Sequence, residues 1–220
     1  MTKPLKALLF DLDGTLVHTD PLHFAAWRAA LAPHGIGLSQ EAYEARIWGR
    51  HNPEIVRDWL PHLDADEGVA FADAKEAAFR AAAESLEPLP GAAGLMSEAR
   101  AAGVAVAVVT NAPRPNAEFM LEATGLVSLV DRLTIGEECV APKPDAAPYR
   151  ETLDVLGVGA SEAIAFEDSP SGLRSAVAAG LAVVGMTTTQ PAVDLLAAGA
   201  QVAWGSFAGR RVQDAAGVLG

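Results

Sequence analysis

Continuous apolar runs recur along the chain at Ala7–Phe10, Val104–Thr110, Ala163–Phe166 and Ala182–Met186, with weaker ones at Leu133–Ile135 and Gln201–Trp204. Between them lie alanine-rich amphipathic stretches at Ala92–Ala102, Asn116–Thr124, Ala146–Leu156 and Ser171–Ala179. Strands buried on both faces read as unbroken apolar runs, and helical spacers between them are the crossovers that parallel pairing requires. The pattern predicts an α/β fold: a Rossmann-like parallel sheet covered by helices on both faces.

Residues 19 to 85 break this pattern. They carry no strand signal, only helical stretches at Leu22–Leu31, Gln40–Trp48, Pro53–Leu60 and Val69–Ser85. A helical insertion over 19–85 is therefore expected, with 1–18 and 86–220 forming the sheet-bearing core. "LEPLPG" (Leu86–Gly91), with two prolines and a glycine, suits the return link. Trp27, Trp48 and Trp59 are expected to pack between the inserted helices rather than to stack on a ligand.

Composition changes the picture mainly by exclusion. A chain of 220 residues that is 50% hydrophobic can bury a sizeable core. Its 16 basic and 28 acidic residues give a net charge of −12, which argues against nucleic-acid or anionic-membrane partners. No apolar run reaches transmembrane length, and "MTKPLKALLF" has too short an apolar stretch for a signal peptide. The single cysteine, Cys139, permits no disulfide within the chain and reads as a small, partly buried thiol. A cytoplasmic monomer is the expectation.

Several chemistries also fall away. The five histidines (His18, His23, His34, His51, His62) precede the sheet's later strands, and no nucleophile elbow accompanies them. Asp145 stands where a phosphate-cradling cysteine loop would need an arginine, and no lysine ends a glycine-rich phosphate loop. "GVGASE" at 157–162 lacks the last glycine of a dinucleotide fingerprint and precedes a strand instead of following one.

What remains is a set of polar residues at the ends of successive strands. Asp11 and Asp13 follow the first, Thr110 and Asn111 the second, and Glu167 and Asp168 a later one. In open parallel sheets, ligands bind at the carboxyl ends of strands. Lys143, in the proline-bounded "APKP", can reach the same crevice. The clustered acids Asp11, Asp13 and Asp168 would repel one another unless a cation sat among them, and Mg²⁺ accepts carboxylates, waters and phosphate oxygens. An aspartate can attack phosphorus to form an aspartyl-phosphate. A second carboxyl two positions on can protonate the leaving oxygen and later deprotonate water. Thr110 and Asn111 suit the phosphoryl oxygens, and Lys143 the charge that develops on them. Glu167 and Asp168 can also be read as N-cap residues for the helix near Ser171.

"DLDGTL", "VVTNA", the lysine of "APKP" and "FEDSPSG", in that order, resemble the four motifs of the haloacid dehalogenase superfamily of phosphatases and mutases. The resemblance implies Asp11 as nucleophile, Asp13 as general acid/base, and Thr110 and Lys143 as phosphate-stabilising residues. It implies Asp168 as a Mg²⁺ ligand with Asp11 and the Asp13 carbonyl, and Glu167 as an outer or alternative metal contact. The insertion resembles the family's small α-helical cap, whose closure would exclude water and select the leaving group. Within it, "PLHFAAW", "WGRHNPEI" and Lys75 are similar to the β-phosphoglucomutase-like subgroup, which makes His23, Gly49, Arg50, Asn52 and Lys75 candidate substrate contacts. By count from Gly49, the mutases' second-phosphate arginine falls at Asn52, whereas the arginine present is Arg50. The expected activity is Mg²⁺-dependent hydrolysis of a small-molecule phosphate ester, a sugar phosphate foremost. A β-phosphoglucomutase-type phosphosugar mutase is the alternative.

Overall fold

The computed structural model describes residues 4–83 and 86–219. The chain divides into two compact units, Met1–His18 with Glu87–Gly220, and Thr19–Leu86. Along the chain, strand β1 (Ala7–Phe10) is followed by four helices of the second unit: α1 (Asp20–Leu31), α2 (Gln40–Arg46), α3 (Asn52–Trp59) and α4 (Ala65–Ala82). The first unit then resumes with α5 (Ala92–Ala101), β2 (Ala105–Thr110), α6 (Arg114–Ala123) and β3 (Arg132–Ile135). It continues with α7 (Ala147–Leu156), β4 (Ala163–Glu167), α8 (Pro170–Ala178) and β5 (Ala182–Met186). Helix α9 (Ala192–Ala197), β6 (Val202–Trp204) and α10 (Val212–Ala216) complete it.

Among the described residues the strands form one parallel sheet in the order β3-β2-β1-β4-β5-β6. The connections run outward in one direction from β1 through β2 to β3, and in the other through β4, β5 and β6. The order reverses between β1 and β4, which opens a crevice at their carboxyl ends. Every residue of β1 is fully buried, as a central strand covered on both faces should be. On one face Ala7, Leu9, Val109 and Ala165 pack with Tyr149 and Leu153 of α7 and Leu173 and Ala176 of α8. On the other, Phe10 stacks on its register partner Phe166 with centroids 4.6 Å apart. Phe207 meets these two rings edge-on at 5.7 and 5.4 Å. This aromatic triad ties the segment after β6 to the two strands that flank the switch point.

The second unit has its own apolar core of Trp27, Leu31, Tyr43, Ile55, Val56 and Leu60, with Trp48, Trp59 and Phe71 packed against it. The tryptophans therefore lie between helices, as expected. No helix among the described residues is long and apolar enough to cross a membrane.

The element boundaries that differ from the sequence expectation have local causes. Helix α4 starts at Ala65 rather than Val69 because Asp64 and Glu67 form a capping box: the Asp64 side chain accepts the Glu67 N–H at 2.9 Å and Glu67 accepts the Asp64 N–H at 3.0 Å. Its expected end at Ser85, with Glu84, lies outside the described residues. Glu167 belongs to β4 instead of following it. The N-cap of α8 is Ser169, whose Oγ accepts the Gly172 N–H at 3.0 Å, so neither Glu167 nor Asp168 has that role. Helices α9 and α10 were not expected; at six and five residues they are too short to establish a helical period.

Phe207→Ala is expected to lower stability by about 3–5 kcal/mol, the cost of emptying a closed aromatic site. Urea unfolding checks this, and a loss below about 1 kcal/mol would show that the triad does not hold the C-terminal segment.

Candidate active site

The carboxyl ends of β1 and β4 lie side by side, with the Asp11 N–H donating to the Phe166 carbonyl at 3.0 Å. This extends the β1–β4 ladder by one residue and sets the Asp11 side chain level with that of Glu167. One oxygen each of Asp11, Glu167 and Asp168 lie within 4.8 Å of one another, and all three residues are buried. Asp13 sits half-buried in the turn that follows, paired through its backbone with Val17. The side-chain trio expected from the sequence included Asp13; in the structure Glu167 completes it.

Lys143 enters this cluster from the loop before α7. Its ammonium donates to Asp11 Oδ1 at 2.7 Å, to Glu167 Oε1 at 2.6 Å and to the Val109 carbonyl at 2.7 Å. An ammonium has three protons, so all its donors are committed. Asn111 fixes this loop: its side chain donates to the Lys143 carbonyl and accepts the Lys143 N–H, both at 3.0 Å. The structure thus gives the Asn111 amide two backbone partners. Thr110 is buried, its Oγ1 accepting the Ala112 N–H at 3.0 Å. Tyr149, which the sequence reading missed, donates to Glu167 Oε1 at 2.6 Å from inside the core. Its signal was hidden, because a tyrosine on an amphipathic helix reads as packing.

Two glycines make the close packing of the acids possible. Gly14 has φ +76°, and a Cβ there would lie 2.1 Å from Asp168 Oδ2. At Gly172, on the first turn of α8, a Cβ would lie 1.9 Å from Glu167 Oε2. The carboxylates occupy the space that side chains at 14 and 172 would fill.

Three buried carboxylates face one ammonium. Burial pushes the Asp11 carboxyl up to about 8, against the lowering pull of Lys143, and the charges of Glu167 and Asp13 add to the rise. Burial works against the Lys143 ammonium, but Asp11 and Glu167 overcome it and raise its pKa. Glu167 Oε2 is buried without a hydrogen-bond partner. An orphaned carboxylate oxygen beside two further acids is a costly arrangement that a cation relieves. Hard oxygen donors at this spacing suit a divalent metal ion.

The second unit holds a separate polar cluster. Lys75, itself buried, donates to Glu76 Oε1 at 2.9 Å and lies 2.9 Å from His23 Nδ1. Its Nζ also sits 4.9 Å from the Trp27 ring centroid, and His23 stacks on Phe79 at 4.0 Å. Asn52 Nδ2 donates to Glu76 Oε1 at 2.7 Å. Burial disfavours the Glu76 carboxylate, yet Lys75 and His23 hold its pKa below the ordinary range. The structure thus brings together His23, Asn52 and Lys75 around Glu76, an acid in an alanine-rich helix that the sequence did not single out. Arg50 stands apart, donating to Asp58 at 2.8 Å and to the Arg46 carbonyl at 2.8 Å. Gly49 takes φ +67° in the turn before it.

Fold and site together define an α/β enzyme with an acidic crevice at the switch point of a parallel sheet. Residues 5–180 match the model of the haloacid dehalogenase-like hydrolases. The chain is 33% identical over 189 residues to a validoxylamine A 7'-phosphate phosphatase of Streptomyces hygroscopicus subsp. limoneus, covering 85% of this chain and 88% of that one. It is 34% identical over 212 residues to a phosphoglycolate phosphatase of Rhodospirillum rubrum, covering 92% and 88% respectively. The crystal structure of CbbY from Rhodobacter sphaeroides in complex with xylulose-(1,5)bisphosphate superimposes with a TM-score of 0.83 at 30% identity, covering 96% of this chain and 99% of that one. The chain belongs to the haloacid dehalogenase-like hydrolases and is a phosphatase.

Two outcomes follow from the site's packing. Gly172→Ala is expected to displace the Glu167 carboxylate and to lower both stability and activity, by about 1–3 kcal/mol in unfolding; parent-like behaviour would show that α8 can shift to admit a methyl group. In protein stripped of metal by chelation, folded Asp11 holds a proton that the unfolded chain releases above 3.8. The stability this contributes is full below 3.8 and is lost as pH rises through about 8. Urea unfolding between about pH 5 and 8 should therefore show stability declining with pH, and Asp11→Asn should flatten the slope. A parent profile already flat would refute the raised Asp11 pKa.

Proposed function

We propose that this protein is a Mg²⁺-dependent phosphomonoester hydrolase that acts on a small phosphorylated metabolite, a sugar phosphate foremost, through an aspartyl-phosphate on Asp11. The observation that carries the reading is the excess of buried negative charge at the switch point, with Glu167 Oε2 unpartnered beside Asp11 and Asp168. Asp11, Asp168 and the Asp13 carbonyl would hold Mg²⁺, with Glu167 as an outer contact. When bound, the ion supplies the positive charge that lets a phosphate dianion enter an acidic crevice.

Asp11 attacks phosphorus as the ester P–O bond breaks, and Asp13 delivers its proton to the leaving alkoxide. The ionised Asp13 then takes a proton from a water that attacks the acyl-phosphate, releasing inorganic phosphate and restoring the Asp11 carboxylate. Lys143 orients Asp11 through its 2.7 Å bond and counters charge on the phosphoryl oxygens, with Thr110 as a neighbouring donor. Asn111 serves by fixing the Lys143 backbone, and Tyr149 by holding Glu167.

The substrate class draws on the relatives. Those named for phosphoglycolate and validoxylamine A 7'-phosphate, and the one bound to xylulose-(1,5)bisphosphate, take small oxygenated phosphate compounds. His23, Asn52 and Lys75, joined through Glu76, are the cap groups we assign to substrate selection, with Gly49 shaping the turn. Arg50, tied to Asp58 on the surface of its unit, is the weakest candidate contact. The phosphatase reading is preferred over the mutase alternative because Asn52, at the mutases' second-phosphate arginine, is neutral and bonded to Glu76. We take the enzyme to be a cytoplasmic monomer; its single thiol suits a reducing compartment.

The test is inorganic phosphate release from a panel of phosphosugars with and without Mg²⁺. Release should require Mg²⁺ and fall by at least about 10³-fold in Asp11→Asn. Conversion of β-glucose 1-phosphate to its 6-phosphate without phosphate release would establish a mutase instead.

A further inference from the structure

The loop that follows β5, Thr187–Gln190, belongs to none of the four motifs. Each of its three threonines nevertheless bonds to a different strand end. The Thr187 N–H donates to the Trp204 carbonyl at 2.9 Å and so anchors the loop to β6. Thr188 Oγ1 donates to the Gly14 carbonyl in the turn after β1. Thr189 Oγ1 lies 2.7 Å from Asp168 Oδ2 and 3.1 Å from the Asp168 carbonyl, and its single proton is drawn to the nearer, charged acceptor.

The same carboxylate is held from its other side, where Thr15 Oγ1 donates to Oδ1 at 3.3 Å. Thr189 also packs against the turn: its Cγ2 lies 3.2 Å from the point a Cβ on Gly14 would occupy. Threonine is stiff at χ1, so a hydroxyl held this way keeps its direction. Asp168 needs that constraint. With Asp11 and Glu167 close by, like-charge repulsion favours turning its carboxylate out of the cluster.

We propose that Thr188 and Thr189 are positioning residues, a clamp that holds the Asp168 carboxylate and the Gly14 turn in fixed register and thereby sets how tightly the site takes its divalent cation. This rests on the function proposed above, in which Asp168 is a metal ligand. Groups that orient a ligand from behind tune affinity without touching the ion.

Thr189→Val keeps the shape of the side chain and removes the donor. In a calorimetric titration of metal-free protein, it should weaken Mg²⁺ binding by about ten- to a hundredfold. At saturating Mg²⁺, its KM for the phosphate ester should stay within about twofold of the parent's. Thr189→Ser, which retains the hydroxyl, should recover most of the affinity. Thr188→Val should shift Mg²⁺ affinity in the same direction.

A folded Thr189→Val protein that binds Mg²⁺ as the parent does, or a serine variant that fails to rescue, overturns the clamp. If the valine variant does not fold, Thr189→Cys against Thr189→Ser decides instead: a weak donor that loses affinity supports the clamp, and equal affinities refute it. Parent protein that binds no Mg²⁺ overturns the proposed function and the clamp with it. Parent binding together with an unchanged valine variant overturns the clamp alone.

Discussion

The Lys143 ammonium is the contact on which the rest of the crevice depends. Its three protons join Asp11 after β1, the end of β2 and the end of β4 at one point. That junction requires β1 to sit between β2 and β4 in register, α7 to bring Tyr149 against Glu167, and Asn111 to pin the lysine's own backbone. A single ammonium cannot balance three carboxylates: every proton of the lysine is committed, yet Glu167 Oε2 is left without a partner and the cluster is deficient in positive charge. Chemistry is built on that deficit. Active sites are where burial and like charge are allowed to move a pKa far from its ordinary value.

The second unit makes an instructive contrast. It too buries a lysine, Lys75, which donates to Glu76 with His23 and an aromatic face beside it. There Lys75 and His23 hold the Glu76 carboxyl below its ordinary range instead of leaving it driven toward protonation. A pair of this kind orders side chains, whereas the set at the switch point leaves a buried carboxylate oxygen without a partner. The two buried lysines thus sit beside carboxyls that respond in opposite ways, Glu76 lowered and Asp11 raised by its burial.

Much of this was legible in the sequence, for identifiable reasons. The strands announced themselves because a sheet covered on both faces needs unbroken apolar runs, and Asp11, Thr110 and Asp168 stood out because polar residues interrupted those runs. Lys143 was readable from its proline-bounded loop. Tyr149 and Glu76 were not, since each sits in a helix whose pattern explains it without chemistry. Glu167 looked like the first residue after a strand, because a charge seldom ends a buried one; only its three-dimensional neighbours account for its place inside β4. Thr187, Thr188 and Thr189 match no motif in the sequence, and their meaning lies entirely in contacts with residues far away in sequence. Short helices such as α9 and α10 carry too few residues for a period to emerge.

The central place of β1 also shapes how the protein is made. Ala7 pairs with Ala105 and Ala163, so β1, once made, must await partners 98 and 156 residues further along the chain. At about 5–20 residues per second, that wait is on the order of ten seconds. During it the apolar edge of β1 has no sheet to join, while the helical segment encoded next can gather its own core. Asp11 meets the Lys143 ammonium only after β3 has emerged, and its neighbouring acids only with β4. An unfinished chain therefore carries Asp11 without the ammonium and acids that surround it in the fold, and the crevice is completed only with the closing of the sheet.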